Sequence, residues 1–142
     1  MRPGQGPLTE AEVDPSQVAL AERLAKDLVD CDPAILSLMV VDTLGRVLHV
    51  SRSARLAESE QVSPELIRLF GTVSKLMVGA ANSAAQIMGG TEAVVGIFKK
   101  QKVLLLNLPE YNLLLAIRLV RSSNAEYVRD IIGDLLATNA EP

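Results

Sequence analysis

The spacing of hydrophobic residues changes several times along this chain, and each change marks an element. Val18, Ala21, Leu24, Ala25 and Leu28 recur at helical spacing and form one apolar face. The segment before them, "VDPSQV", reads as a helix start. Asp14 is a good N-cap, Pro15 suits the first helical position, and Gln17 stands where a capping-box partner belongs. Val13 and Val18 have the spacing of a hydrophobic staple. "DCDP" ends this helix near Val29, because Pro33 disfavours helix in the residue before it. Residues 34–41 are then nearly all apolar and β-rich. "DTLG" is a turn, with Asp42 able to bond nearby backbone and Gly45 free to take positive φ. A second strand runs from Arg46 to about Ser51, close enough for a hairpin.

The next long pattern is helical. Ser63 caps it, Pro64 starts it, Val62 and Ile67 have staple spacing, and Gly89 and Gly90 end it. That predicts a single helix of about 25 residues, roughly 37 Å long. Leu66, Phe70, Val73, Met77, Ala80, Ala84 and Ile87 form one row of this helix. Ile67, Gly71, Ser74, Val78, Ala81, Ala85 and Met88 form a second. A third row, Glu65, Arg68, Thr72, Lys75, Gly79, Asn82 and Gln86, carries the polar groups. Two apolar or small rows side by side are wider than one sheet contact needs. The C-terminal half of this helix is therefore expected to meet two surfaces: its own sheet, and most simply the same helix of a second subunit.

Three more strands follow, in "TEAVVGIFK", "KVLLLNL" and "YNLLLAIRLV", joined by short connections that predict an antiparallel meander. A last helix is expected from Ser123, with Glu126 completing a capping box and Val128, Ile131, Ile132, Leu135 and Leu136 as its apolar face. "VLLLNL" and "LLLAI" are apolar on both faces, so the sheet must be covered on both sides. The expected fold is of the α/β (α+β) class: a three-layer α-β-α sandwich around a five-stranded antiparallel sheet. One long helix covers one face and two helices the other, with strand order 2-1-5-4-3. The domain spans 14–138, after a disordered tail over 1–13 and before a short tail over 139–142.

Composition narrows the function. At 142 residues the chain fits one domain, and 49% apolar residues with only 3% aromatics imply an aliphatic core. The net charge of −3, with acids and bases interspersed, argues against a nucleic-acid binder. The N-terminal residues lack the apolar region of a signal peptide. The lone Cys31 forms no internal disulfide, belongs to no metal-ligand spacing, and suits a reducing, cytoplasmic setting. "KLMVGAANSAAQIMGG", residues 75–90, lacks the Gly-Lys-Ser/Thr of a phosphate loop. Its uncharged run of 16 residues, Leu76 to Thr91, is too short and too polar to span a membrane.

Candidate chemistry is sparse. His49 lies on a strand with no acid or cysteine motif beside it, and reads as a strand-surface residue. Asp42 and Gly45 make a turn and lack the 12-residue ligand set of a calcium loop. Arg52 and Arg55 read as solvated loop charges. No catalytic set, metal site or cofactor site is expected.

The segments "LMVVDTLGRVLHVS", "LIRLFGTVSKLMVGAANSAAQIMGG" and "EAVVGIFKKQKVLLLNLPEYNLLLAIRL", followed by a terminal helix, resemble the roadblock/dynein-light-chain family in element order. Its fold is related to the longin and profilin-like folds, and the resemblance spans roughly residues 15–138. It implies a module without an active site, pairing with itself or a paralogue through the long helix and third strand. Such a module scaffolds or modulates a small Ras-like GTPase. Carried over by position, the dimer surface comprises Val73, Met77, Ala80, Ala81, Ala84 and Met88 on the helix, with Glu92, Val94 and Gly96 on the strand. The polar row Arg68, Lys75, Asn82 and Gln86 is left for a GTPase partner. The N-terminal tail is extra to the family pattern. The alternatives are a small-molecule sensor with a related sandwich, or a light-chain-type adaptor subunit of a larger complex.

Overall fold

The computed structural model describes residues 13–54 and 63–140. The elements are α1 (Pro15–Leu28), β1 (Ile35–Asp42), β2 (Val47–Arg52), α2 (Pro64–Asn82), α3 (Ala85–Met88), β3 (Ala93–Ile97), β4 (Gln101–Leu108), β5 (Leu113–Val120) and α4 (Ala125–Ala140). A single 3₁₀ turn, Pro109–Tyr111, links β4 to β5. The five strands form one antiparallel sheet in the expected order β2-β1-β5-β4-β3. The expectations for Val62, Arg55 and the two tails fall on or extend into residues outside those described.

The two faces of the sheet are covered differently. α1 and α4 pack on one face, where Leu28, Ile35, Leu38, Leu104, Leu115 and Ile117 are fully buried. α2 covers the other, above Met39, Val41, Val103, Leu105, Leu114 and Ala116. Alternate residues of β4 and β5 feed the two faces, and both sets are apolar because both faces are covered. In β2 the ladder shifts register beside Val40/Val41, and the extra residue, Leu48, turns toward the α1 side.

The β1–β2 turn is built by Asp42. Its Oδ1 accepts from the backbone N–H of Leu44 and of Arg46, both at 2.9 Å, and its Oδ2 accepts from Arg46 Nε at 2.7 Å. Gly45 sits at φ +83°, where a side chain would be strained. This turn presses against α2. A Cβ added at Gly71 would lie 2.7 Å from Val47 Cγ2 and 3.0 Å from the Gly45 carbonyl oxygen. Gly71 is therefore the point at which α2 touches the hairpin backbone.

Three local expectations need correction. At α1, Asp14 is the N-cap and accepts from Ser16 N at 2.9 Å. Gln17, however, does not close a capping box: its Nε2 donates to the Tyr111 carbonyl at 3.0 Å, tying α1 to the β4–β5 connection. At α4 the cap is Asn124, whose Oδ1 accepts from Tyr127 N at 3.1 Å, and not Ser123. Lys102 Nζ instead donates to the Ser123 carbonyl, holding the loop before α4.

The third correction concerns the long helix. It is not continuous to Gly89 but breaks after Asn82. Ser83 Oγ donates to the Ala80 carbonyl at 2.6 Å, and the Ser83 N–H is shared between the Ala80 and Ala81 carbonyls. Those bonds tighten the last turn and release the chain, and one separate turn, α3, follows before Gly89 at φ +85°. A serine that bonds its own preceding turn competes with the helix, and the spacing of apolar residues does not register it.

Candidate protein-interaction surface on α2 and β3

α2 contributes no large, fully buried side chain; its buried residues are Gly71 and Ser74. Ile67, Phe70, Met77 and Val78 rest half-buried on the sheet. The opposite side of the helix is also apolar. Leu66 is 55% exposed, Leu69 57%, Val73 38% and Leu76 65%, and they are spaced 3-4-3 along the helix. Ala80 continues the stripe at the next step, and Ile87 and Met88 on α3 extend it at 90% and 80% exposure. A leucine–valine stripe at this spacing has the pattern of a helix-packing seam. Within the chain nothing described covers it.

β3 lies beside the far end of this stripe and is fixed to it through Thr91. Asn82 Oδ1 accepts from Thr91 N at 2.9 Å, and Asn107 Nδ2 donates to the Thr91 carbonyl at 3.2 Å. The end of α2 and the start of β3 are thus held together by two asparagines, one on the helix and one on β4. β3 is the edge of the sheet, and among the described residues no strand pairs with its outer side. Its own apolar groups are exposed as well: Val95 43%, Ile97 64% and Phe98 51%. Phe98 folds back over Gly96, where an added Cβ would stand 3.1 Å from the ring. Gly96 thus has a reason inside the chain, as the seat of that ring.

The residues carried over from the family pattern divide into two groups. Val73, Ala80, Ala81, Met88 and Glu92 face outward; Ala84 and Gly96 are half-buried. Met77 and Val94 are partly buried against the chain's own α2-side core. Of the polar row, Arg68, Lys75, Asn82 and Gln86 are all exposed. Lys75 lies across Gly45, where an added Cβ would meet its Cδ at 3.4 Å. Asn82 is engaged with Thr91, and Gln86 lies beyond the helix break. Sequence reasoning missed Leu69 and Leu76, which fell between the three rows. Their seven-residue separation was the signal.

Elsewhere the chemistry is structural. His49 lies half-buried on β2, with Nε2 3.2 Å from Ser51 Oγ. Cys31 is half-buried against the α1-side core. Burial pushes its thiol pKa up, and the neighbouring Asp32 and Asp30 add to the rise, so it is a poor nucleophile. The Arg129 guanidinium is held more firmly protonated by its hydrogen bond to Asp130, at 3.0 Å, with Glu92 3.8 Å away. No group of three or more His, Cys, Asp or Glu side chains is arranged to hold a metal among the described residues. No described helix is long and apolar enough to cross a membrane. One hollow of about 430 Å³ opens between the start of α2 and the sheet. Met39, Val50 and Phe70 give it an apolar wall, and Ser37, Arg52 and Arg118 a polar one. Arg118 Nε donates to Ser37 Oγ there at 2.9 Å. Arg52 is therefore a strand residue lining a hollow, and not part of a solvated loop.

The sheet order, the two-plus-one helix layers and the outward helix beside an edge strand define the roadblock fold, and the chain has it. A Roadblock/LC7 domain from Streptomyces avermitilis superposes with a TM-score of 0.64 at 16% identity, over 82% of this chain and 91% of that one. The gliding protein MglB from Thermus thermophilus gives 0.66 at 14% identity, over 90% and 93%. An MglB with a tetrameric arrangement gives 0.64 at 12% identity, over 90% and 93%. No family model and no curated protein matches the chain.

Proposed function

We propose that this chain is a non-enzymatic, dimeric roadblock-type module that binds a small Ras-like GTPase and scaffolds or modulates it in the cytoplasm. The observation that carries the reading is the set of outward apolar side chains on α2, α3 and the edge strand β3, from Leu66 and Leu76 to Met88 and Val95. It is the surface through which roadblock modules are expected to pair. The tetrameric arrangement of an MglB with the same fold supports self-association. On this reading Val73, Ala80, Ala81, Ala84 and Met88 meet the second subunit, together with Glu92, Val94 and Gly96. Met77 supports that face from below. The polar row Arg68, Lys75, Asn82 and Gln86 meets the GTPase.

Titration against the small GTPases of the same genome, in both nucleotide states, tests this reading. Saturable binding to one of them, weakened by charge reversal at Arg68 and Lys75, is the expected result. No binding to any of them removes the GTPase part of the proposal. The hollow between α2 and the sheet favours a second reading, a small-molecule sensor. A thermal-shift screen that finds a stabilising metabolite, with no GTPase bound, selects that reading instead.

A further inference from the structure

Across β2, β1 and β5 the α2 side of the sheet is apolar except at one end. Two successive rows there are Val47–Val41–Leu114 and Val50–Met39–Ala116. The next row, toward the start of α2, is Arg52–Ser37–Arg118. Residues directly opposite one another in an antiparallel sheet project from the same face, so two arginines flank one serine on this face. Neighbouring strands lie about 4.8 Å apart, which sets the two arginine Cα atoms about 10 Å from each other. Arg118 is already turned over the serine, with its Nε donating to Ser37 Oγ at 2.9 Å. β4 adds the amide of Gln101 at the same end. Ile67 and Phe70 of α2 line the hollow opposite this floor, and its volume is about 430 Å³.

We infer that this hollow binds an amphiphilic carboxylate, with its acid group at the Arg52–Ser37–Arg118 row and an alkyl or aryl tail along Met39, Val50, Ile67 and Phe70. The inference rests on the small-molecule reading above and names its ligand class. The volume falls within the roughly 300–1,000 Å³ that small-molecule sites occupy. The polar end selects the charge. Its described lining holds two cations and no acid, so an anion is attracted and a cation repelled. A planar guanidinium forks onto a carboxylate through two parallel N–H···O bonds. It carries five N–H donors, so a partner within the chain does not preclude a ligand. The Ser37 hydroxyl accepts from Arg118 and has its own O–H to donate to the acid. The apolar end selects the tail. Met39, Val50, Ile67 and Phe70 offer no side-chain hydrogen bond, so a sugar or other polyol would lose its hydration there without replacement. The two ends together fix the direction. The head stays at the arginine row, and the tail runs under α2 toward the Val50–Met39–Ala116 row.

Decanoate, decanol and decylamine share a tail and differ in the head, and phenylbutyrate puts the acid on an aromatic tail. Titrating each into the full-length chain, below micelle formation and with methyl NMR as the readout, tests both ends of the site. At least one of the two acids is expected to bind saturably and to shift the methyl signals of Met39, Val50 and Ile67. The exposed Val95 and Ile97 methyls on β3 should stay unmoved. Decanol is expected to bind about ten-fold more weakly than decanoate, because it lacks the hydrogen bonds to a charged group. Decylamine should not saturate. Arg52→Gln and Arg118→Gln are each expected to weaken the acid about ten-fold and decanol by less than about two-fold, a split that mere loss of the hollow does not give. Equal binding of decanoate and decanol overturns the inference, and so do acid-induced shifts confined to Val95 and Ile97; neither result depends on a variant folding. If a neutral compound from a thermal-shift screen moves the Met39, Val50 and Ile67 methyls and neither acid does, the carboxylate is wrong and the small-molecule reading survives. If no acid and no screened compound moves them, both fall.

Discussion

The two faces of the sheet use the same kind of residue for different ends. On the α1 and α4 face the helices bury their large side chains: Leu24 and Leu28 from α1, and Val128 and Ile132 from α4, are 5% exposed or less. On the other face α2 brings only glycine and serine to full burial, and leaves three leucines and a valine to the outside. A closed face needs its helices for stability. The α2 face is closed on one side of its helix and unfinished on the other. The lesson is that apolar content alone does not separate a core helix from an interface helix; the direction of each side chain does.

The sharpest way to break this comparison is truncation. Leu28→Ala is expected to lower unfolding free energy by about 2–5 kcal/mol, because a wholly buried leucine leaves a cavity. Leu69→Ala is expected to change the stability of the isolated subunit by less than about 0.5 kcal/mol while loosening self-association. Denaturant unfolding and sedimentation of the two variants check this. Equal losses of subunit stability would erase the distinction between the faces.

The glycines of α2 give a second, smaller contrast. Gly71→Ala forces a methyl against Val47 and the Gly45 carbonyl, and should destabilise by about 1–3 kcal/mol. At Gly79 an added Cβ meets nothing within 4 Å. Gly79→Ala should therefore stabilise the isolated subunit by up to about 1 kcal/mol, since glycine is a poor helix former. Thermal unfolding at a concentration where subunits are separate distinguishes the signs.

Ser74 sharpens the same picture. Its hydroxyl is wholly buried under α2 with no hydrogen-bond partner among the described residues. Ser74→Ala is expected to raise stability by about 1 kcal/mol, and a measured loss would show that the hydroxyl is satisfied after all.

The smallest effect is chemical. Burial pushes the Cys31 thiol pKa above its ordinary value, so less thiolate exists in the folded chain at a given pH. Alkylation at pH 8 should be several-fold slower native than unfolded. Because the shift is upward, the neutral thiol favours the folded state, and this small contribution is lost as the pH rises through the unfolded value toward the raised folded one. A cysteine placed at exposed Leu76 should label quickly in the separate subunit and slowly once α2 is covered.

Much of this was legible beforehand. Strands with both faces apolar required two covered faces, and short connections required a hairpin and a meander. The layers and the β1–β2 and β3–β4–β5 pairings therefore followed from "VLLLNL", "LLLAI" and the turns, whereas the pairing of β1 with β5 joins strands far apart in the chain and is not dictated by them. The caps at Asp14 and Ser63 were legible because a short polar side chain before Pro has few other uses. The break after Asn82 was not, because serine back-bonding within a run of small residues leaves the apolar period unchanged. Gln17 and Ser123 were misplaced for a related reason. A capping box is one local option for a side chain, and Tyr111 offered Gln17 a distant carbonyl instead.

For the candidate surface, the chain alone established that the second helix carries more apolar width than one sheet contact needs. Which residues supply that excess was decided only in three dimensions. With Gly71 set against the hairpin backbone, α2 presents Leu69 and Leu76 outward and Met77 toward the sheet. Likewise the third strand was readable as a strand, but its place at the edge, and the exposure of Val95 and Ile97, came from its pairing with β4 alone. Periodicity reports how many faces of an element are apolar; only packing against the other elements decides which of those faces is left for a partner.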